Sequence, residues 1–505
     1  MNRILISVAL VLSATTLTAQ ESRPATSKYV FTLDDVVQLA KEQSQQAIMA
    51  RHNFRASYYN FVDYEANFLP KLTFTTAPIS WDKSIRTIPS VNNKGELVTT
   101  ESRGNTFTST AGLALSQNIG LTGGSISLGS DFSRMQNFLE ENSDFATQYT
   151  TLPVRLSFSQ PLNGYNQFTW LKKIEPLRYE WAKQNYIVQM ESVSATAVSR
   201  FFALAIAQVN LKMSETNYAN AQELYKISQG RYENGRIAED ALLQMELRLM
   251  KAESSLNSSR IIIESRQSQL RSFLGFKDNV EIVLEISTEV PSLKVAFDRA
   301  LDYALSRNPD IISYNRQILE YERSVALAKS QKGITMSLDA SFGINKTGYK
   351  FDDAYSPRFG DREGISMRFT VPILDWSQSK NRLRNAESLL EATKTQFEQN
   401  ETDFKQEVYL QIAQFNMQEN QIRIAAKADT IAQKGYEISR ERYKIGNVSI
   451  TDLNIADTEK DVAKREYMEE LQRFWNYYYT IRRLTLYDFL NNKPLEENFD
   501  LIIGE

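Results

Sequence analysis

One pattern occurs twice along this chain at a fixed distance, and the repeat constrains everything else. Phe158-Ser159-Gln160-Pro161-Leu162 returns as Phe369-Thr370-Val371-Pro372-Ile373, and Arg231-Tyr232-Glu233-Asn234-Gly235 returns as Arg442-Tyr443-Lys444-Ile445-Gly446. The offset is 211 in both cases (372 − 161 and 446 − 235), so the Pro-to-Gly segment spans 74 positions in each copy (235 − 161 and 446 − 372). Surface loops tolerate changes of length. A rod that must span a fixed distance does not. The 505 residues are therefore read as two copies of one large unit rather than a string of ordinary domains.

Prolines mark out the rods. None lies between Pro176 and Pro291, and none between Pro372 and Pro494. Proline breaks helices, so these gaps can hold very long ones. Leu383, Ala386, Leu390, Thr393, Phe397, Phe404, Val408, Ile412 and Phe415 step mostly by three or four, and so do Leu453, Ala456, Ala463, Tyr467, Leu471, Phe474, Tyr478 and Ile481. That is a narrow, coiled-coil-like apolar stripe. The spacing predicts long helices over 166–230 and 377–443, each on the order of 100 Å at ~1.5 Å per residue. Return helices are expected over 238–274 and 449–488, and shorter ones over about 32–68 and 293–331. Thr32 followed by Asp34 and Asp35 reads as a helix cap.

Between the short and long helices, apolar and polar residues alternate weakly. Segments 71–79, 106–116, 124–133 and 152–160 in the first copy, and 335–343 and 364–371 in the second, read as strands with one apolar and one wet face. The first β region, 70–160, is much longer than the second, 333–371. Repeat 1 is thus expected over 30–275 and repeat 2 over 293–490, with a linker at 276–292 and a tail at 491–505.

Composition excludes several classes. Lys+Arg and Asp+Glu number 58 and 61, so there is no electrostatic argument for nucleic acid. There is no cysteine, hence no disulfide, and His52 stands alone, so no histidine-based metal site or Ser-His-Asp set is available and no cofactor is implied. The chain reads as a non-enzyme. Met1-Asn2-Arg3, the apolar run Ile4–Leu12 and Thr18-Ala19-Gln20 read as a signal peptide over 1–19.

Duplication, strand-Pro-long helix at Pro161 and Pro372, Arg-Tyr-x-x-Gly at Gly235 and Gly446, and Asp452-Leu453 six residues after the second Gly together resemble the TolC-like outer-membrane efflux protein family over about 30–490. The resemblance implies a mainly α fold with β hairpins: a trimeric outer-membrane β-barrel continuous with a long periplasmic α-helical barrel. It implies a homotrimer set in outer-membrane lipid, serving as the exit duct of a tripartite efflux pump or type I secretion system. Its implied partners are a periplasmic adaptor protein and an inner-membrane transporter of RND or ABC type. A secreted coiled-coil adhesin or scaffold is the alternative; it explains the long helices but not the duplicated hairpins.

The resemblance also assigns roles. Asn234, Gly235, Arg236 and Ile237, with Ile445, Gly446, Asn447 and Val448, would be adaptor-docking tips; on their own chemistry the glycines permit positive φ where a helix must end. Asp452, with Tyr443 and Asp240, would line a periplasmic gate, although Asp452 also suits a helix start. The familiar gate pattern has a second Asp and an Arg where this chain has Ile455 and Val448, so its ion pairs must differ. The aromatics Trp475, Tyr477, Tyr478 and Tyr479 read as rod packing, and Phe74, Trp81 and Phe107 as candidates for membrane-interface girdles.

Overall fold

A computed structural model describes residues 28–91, 95–138, 146–277, 280–287 and 289–504; the expected signal peptide at 1–19 lies outside them. In chain order the elements are β1 (Lys28–Phe31), α1 (Leu33–Gln43), α2 (Gln45–Ala66), β2 (Lys71–Val91), β3 (Leu97–Ile119), β4 (Gly124–Asn137), β5 (Thr147–Pro161), α3 (Gln167–Glu233), α4 (Glu239–Leu274) and β6 (Glu281–Leu284). There follow α5 (Phe297–Arg307), α6 (Pro309–Ser330), β7 (Thr335–Gly348), β8 (Gly360–Thr370), α7 (Gln378–Lys444), α8 (Ile450–Thr485), β9 (Tyr487–Asp488), β10 (Lys493–Pro494) and α9 (Phe499–Gly504).

The duplication extends to helix lengths. The rods α3 and α7 have 67 residues each, α4 and α8 have 36, α1 and α5 have 11, and α2 and α6 have 22. Helices before the sheet are offset by 264 (Leu33 to Phe297) and those after it by 211 (Gln167 to Gln378), so repeat 1 holds 264 − 211 = 53 extra residues, all in its β region.

Each short helix is broken, where one helix is expected from sequence. The chain goes extended at Ser44 (φ −63°, ψ 145°) and at Asn308 (φ −64°, ψ 130°). At the second break Pro309 excludes Asn308 from the α region. Asn308 then caps the next helix, accepting from the Asp310 N–H at 2.9 Å while its amide donates to the Leu484 carbonyl at 3.1 Å. Thr32 and Asp35 form a reciprocal capping box at the start of α1, and Thr32 holds the Asp35 carboxyl below its ordinary pKa.

The chain divides into two compact units. The tip unit holds the described residues up to Gln45, Thr196–Val290 and Ile422–Gln472. The expected linker 276–292 is not featureless: β6 within it pairs in parallel with β1, Lys28 to Glu281 through Phe31 to Leu284, and Gln208 bonds β6 on both sides, at the Ile282 carbonyl and the Leu284 N–H.

The sheet unit holds Gln46–Ala195, Pro291–Gln421 and the chain from Arg473 onward. Its core feature is a six-stranded antiparallel meander, β2-β3-β4-β5-β7-β8. The tail is packed here: the Phe499 ring is tilted against Phe54 with ring centres 5.0 Å apart, and Arg55 donates to the Ile502 carbonyl. Strands β2 and β3, of 21 and 23 residues, outrun the segments expected from alternation. Their pairing continues to Val91–Leu97, whereas β4 accompanies β3 only over Thr106–Ile119. The far part of this hairpin is a two-stranded ribbon.

Candidate functional site

Two features carry chemistry: the helix tips in the tip unit and the faces of the sheet in the sheet unit.

Both rods end in the same Schellman motif. Gly235 (φ +64°) donates to the Tyr232 carbonyl and Arg236 to the Arg231 carbonyl, each at 2.8 Å. Gly446 (φ +87°) donates to Tyr443 and Asn447 to Arg442, each at 2.9 Å. The turn atoms of Asn234, Gly235, Arg236, Ile445, Gly446 and Asn447 are exposed, while Ile237 and Val448 are half-buried.

The two tips are fastened side by side. Arg231 donates to the Tyr443 and Lys444 carbonyls at 3.1 and 2.5 Å, and its guanidinium lies over the Tyr443 ring. Both carbonyls lie at the end of a helix, and the Tyr443 one also accepts from Gly446, so the guanidinium adds a second donor there and meets the negative end of the helix dipole. The Tyr443 and Ser228 hydroxyls are 3.0 Å apart, and Lys444 pairs with Glu223 at 2.9 Å. That bond raises the Lys444 pKa and lowers that of Glu223. Below them Leu224, Met245, Tyr436, Tyr443 and Leu453 pack as one apolar cluster.

The expected gate residues fall in different surroundings. Tyr443 is buried in this cluster. Asp452 is exposed in the first turn of α8: its N–H donates to the Ser449 hydroxyl at 3.1 Å, and that hydroxyl donates to its carboxylate at 2.7 Å. Asp240 is exposed in the first turn of α4, whose N-cap Ala238 makes no side-chain bond. Further along, Lys460 is buried beside Asp457 (2.8 Å) and Asp461 (3.2 Å) and lies 4.2 Å from the centre of the Tyr436 ring. Burial opposes its charge, but the two carboxylates outweigh this and raise its pKa. The Arg231 clamp is not legible as spacing, since it joins residues more than 200 apart, whereas Lys460 lies only three residues from Asp457 and one from Asp461.

In the sheet, Pro161 closes β5 and Pro372 follows β8; each rod starts six residues later (167 − 161, 378 − 372). The helix openings are made by other residues: Asn166 accepts from the Phe168 N–H, and Asp375 from the Ser377 and Ser379 N–H groups. The register then separates the faces. Leu72, Leu115, Leu128, Leu156 and Phe342 stand opposite one another across five strands, and all are exposed. The adjacent row, one residue over and on the other face, reads Lys71, Ser116, Ser127, Ser157, Ser341 and Gly364. Arg155 and Asp131 pair at 2.7 Å on that polar face. At the end of the sheet remote from the helices, Phe132, Tyr149, Phe351 and Tyr355 cluster with ring centres 5.4–6.5 Å apart. Of the girdle candidates, Trp81 stands opposite Phe107, and Phe74 opposite Leu113. The rod aromatics lie in packing, with Tyr478 bonded to Asp488 at 2.7 Å.

Residues 300–484 match the family described as "Outer membrane efflux protein". The fold is similar to that of the Campylobacter jejuni CmeC outer membrane channel (17% identity, 94% of this chain and 88% of that one, TM-score 0.63). It is also similar to the Vibrio cholerae outer membrane protein VceC (12%, 92% and 97%, 0.60) and to the Neisseria gonorrhoeae MtrE outer membrane channel in its open state (15%, 92% and 90%, 0.53). No curated protein sequence matches the chain. The chain is thus TolC-like: its second repeat carries the outer membrane efflux protein family match, and its fold is the one such channels share.

Proposed function

We propose that three copies of this chain form a passive duct through the outer membrane and across the periplasm, the exit channel of a tripartite efflux pump or type I secretion system. The observation that carries this reading is the sheet register, which lays a row of exposed leucines one residue from a row of serines. A sheet with an exposed apolar face and a polar one suits a barrel wall between lipid and a wet lumen. Four of its strands are 11–15 residues long, enough to cross a bilayer, which takes about 9–11.

Six strands cannot close, and open edges in lipid leave backbone groups unsatisfied at several kcal/mol each. The edge strands β2 and β8 run in opposite directions, so β8 of one copy can pair antiparallel with β2 of the next. Three chains of six strands then give eighteen, a size at which barrels enclose an aqueous channel rather than a packed core. The tip unit also needs neighbours. Ile424, Ile431 and Ile438 on α7, and Ile445 just past its end, are all exposed at seven-residue intervals, an unfilled coiled-coil seam. In this reading the Gly235 and Gly446 tips dock a periplasmic adaptor, an RND- or ABC-type inner-membrane transporter supplies the energy, and Asp452 narrows the mouth.

Purified protein in planar lipid bilayers tests the duct. Discrete, ohmic single-channel steps and outer-membrane fractionation as a heat-modifiable trimer are expected. A soluble monomer without channel activity would sink the reading.

A further inference from the structure

The fastening between the two tips joins repeat 1 to repeat 2 inside one chain. If three copies close a ring, the end of repeat 2 must meet the start of repeat 1 in the next copy, and a duplicated chain can use the same joint again. Adding or subtracting the 211-residue offset shows whether the parts are there.

They are. Arg231 corresponds to Arg442, and its acceptors Tyr443 and Lys444 correspond to Tyr232 and Glu233. The hydroxyl pair Ser228 and Tyr443 corresponds to Ser439 and Tyr232. The ion pair Glu223–Lys444 corresponds to Lys434 and Glu233: the charges are exchanged, yet remain complementary. Arg-Tyr recurs with the motif itself, but the second serine and the inverted charge pair are independent of it. Within the chain none of these five side chains has a partner among the described residues. Tyr232 is 41% exposed; Glu233, Lys434 and Arg442 are exposed, and Ser439 is half-buried.

We infer that Arg442, Ser439 and Lys434 of one copy bind Tyr232 and Glu233 of a neighbouring copy, repeating between chains the joint that Arg231, Ser228 and Glu223 make within one. Arg442 caps the last carbonyls of the neighbour's α3, Ser439 bonds the Tyr232 hydroxyl, and Lys434 pairs with Glu233. Exposed ion pairs contribute little singly, but charge-assisted bonds to helix-end carbonyls are stronger. The partner is a second copy of this chain, so this seam rests on the trimer proposed above. The two joints are not equally strong. The intrachain one is backed by the buried Tyr443 cluster, while in the other Leu224 is replaced by Gly435 and Met245 by Ala456. Seams between copies are therefore the weaker ones, and opening of the mouth begins there.

The chain has no cysteine, so paired substitutions report cleanly. Ser439→Cys/Tyr232→Cys, oxidised in outer membranes, is expected to give covalent dimers and trimers on a denaturing gel. Ser228→Cys/Tyr443→Cys is expected to close within one chain and leave the monomer band. Independently, Glu233→Lys is expected to increase trimer dissociation in detergent, and Lys434→Glu added to it to restore the trimer. Light scattering on the unmodified protein separates the failures. A monomer overturns both the trimer and the seam. A trimer whose Ser439→Cys/Tyr232→Cys variant gives no intermolecular product, or whose charge swap brings no rescue, overturns the seam alone.

Discussion

The guanidinium of Arg482 lies side-on against the carboxylate of Glu191, with N–O distances of 2.9 and 3.1 Å, and Glu191 is 2% exposed. The same Arg482 reaches Asp488 at 3.2 Å, and Asp488 in turn accepts from Tyr478 at 2.7 Å. This knot ties α3, α8 and β9 together within the sheet unit. Arg482→Ala leaves two buried carboxylates without their cation and is expected to destabilise by about 3–5 kcal/mol. Arg482→Met combined with Glu191→Met is expected to recover a large part of that loss. Thermal unfolding of the detergent-solubilised variants, followed by circular dichroism, measures both.

Asp488 also sets a pH dependence. Burial acts to raise its pKa, but the bonds from Tyr478 and Asn491 and the charge of Arg482 outweigh it, and the carboxyl sits below its ordinary 3.8. A depressed carboxyl adds stability that is present above the ordinary value and lost as pH falls through the lower, folded one. Melting temperature is therefore expected to fall from about pH 4 downward. The Asp488→Asn variant should start lower and lose less over that window; parallel slopes in the two proteins would remove Asp488 from the account.

Two glycines on α7 and its tip should respond with opposite signs. A Cβ on either Gly435 or Gly446 meets nothing within 4 Å, so packing does not enter. Gly446 has φ +87°, and Gly446→Ala is expected to cost about 1–2 kcal/mol. Gly435 is in the helix interior, and Gly435→Ala is expected to stabilise by about 0.5–1 kcal/mol. Chemical denaturation of the two variants reads the difference directly.

Asp452 has a capping role in the structure and a gating role in the proposal, and two substitutions separate them. Ser449→Ala removes the cap at about 1 kcal/mol without altering charge, so single-channel conductance is expected to stay unchanged. Asp452→Asn keeps the side-chain shape but removes one charge per copy, and conductance and cation block are expected to change. Identical channels in both variants would leave Asp452 a helix-start acid only.

The rods were legible because their signals are long: proline-free gaps, a three-four apolar step and a glycine at the end. The break at Asn308 was legible too, in Pro309, although one helix is expected across it; Ser44 has no proline after it and gave no local warning. The long β2 was hidden by Pro78, where a bulge between Ala77 and Ser80 shifts the alternation, and by the mixed ribbon beyond. At the tips, glycine chemistry announced the turns. Arg231 did not announce its partners, because they are backbone carbonyls of a helix more than 200 residues away, and backbone acceptors leave no residue-type signature.

The equal helix lengths bear on how such a chain can change over generations. Removing one residue from a rod turns everything beyond it by roughly 100° and draws it in by about 1.5 Å, which would take Arg231 off the carbonyls it caps. Only a matching deletion in the other rod restores the alignment. Rod length is therefore a single heritable quantity written in two places, and a lineage can alter it only by paired edits. The sheet is under no such bond, and its first copy is 53 residues longer than its second.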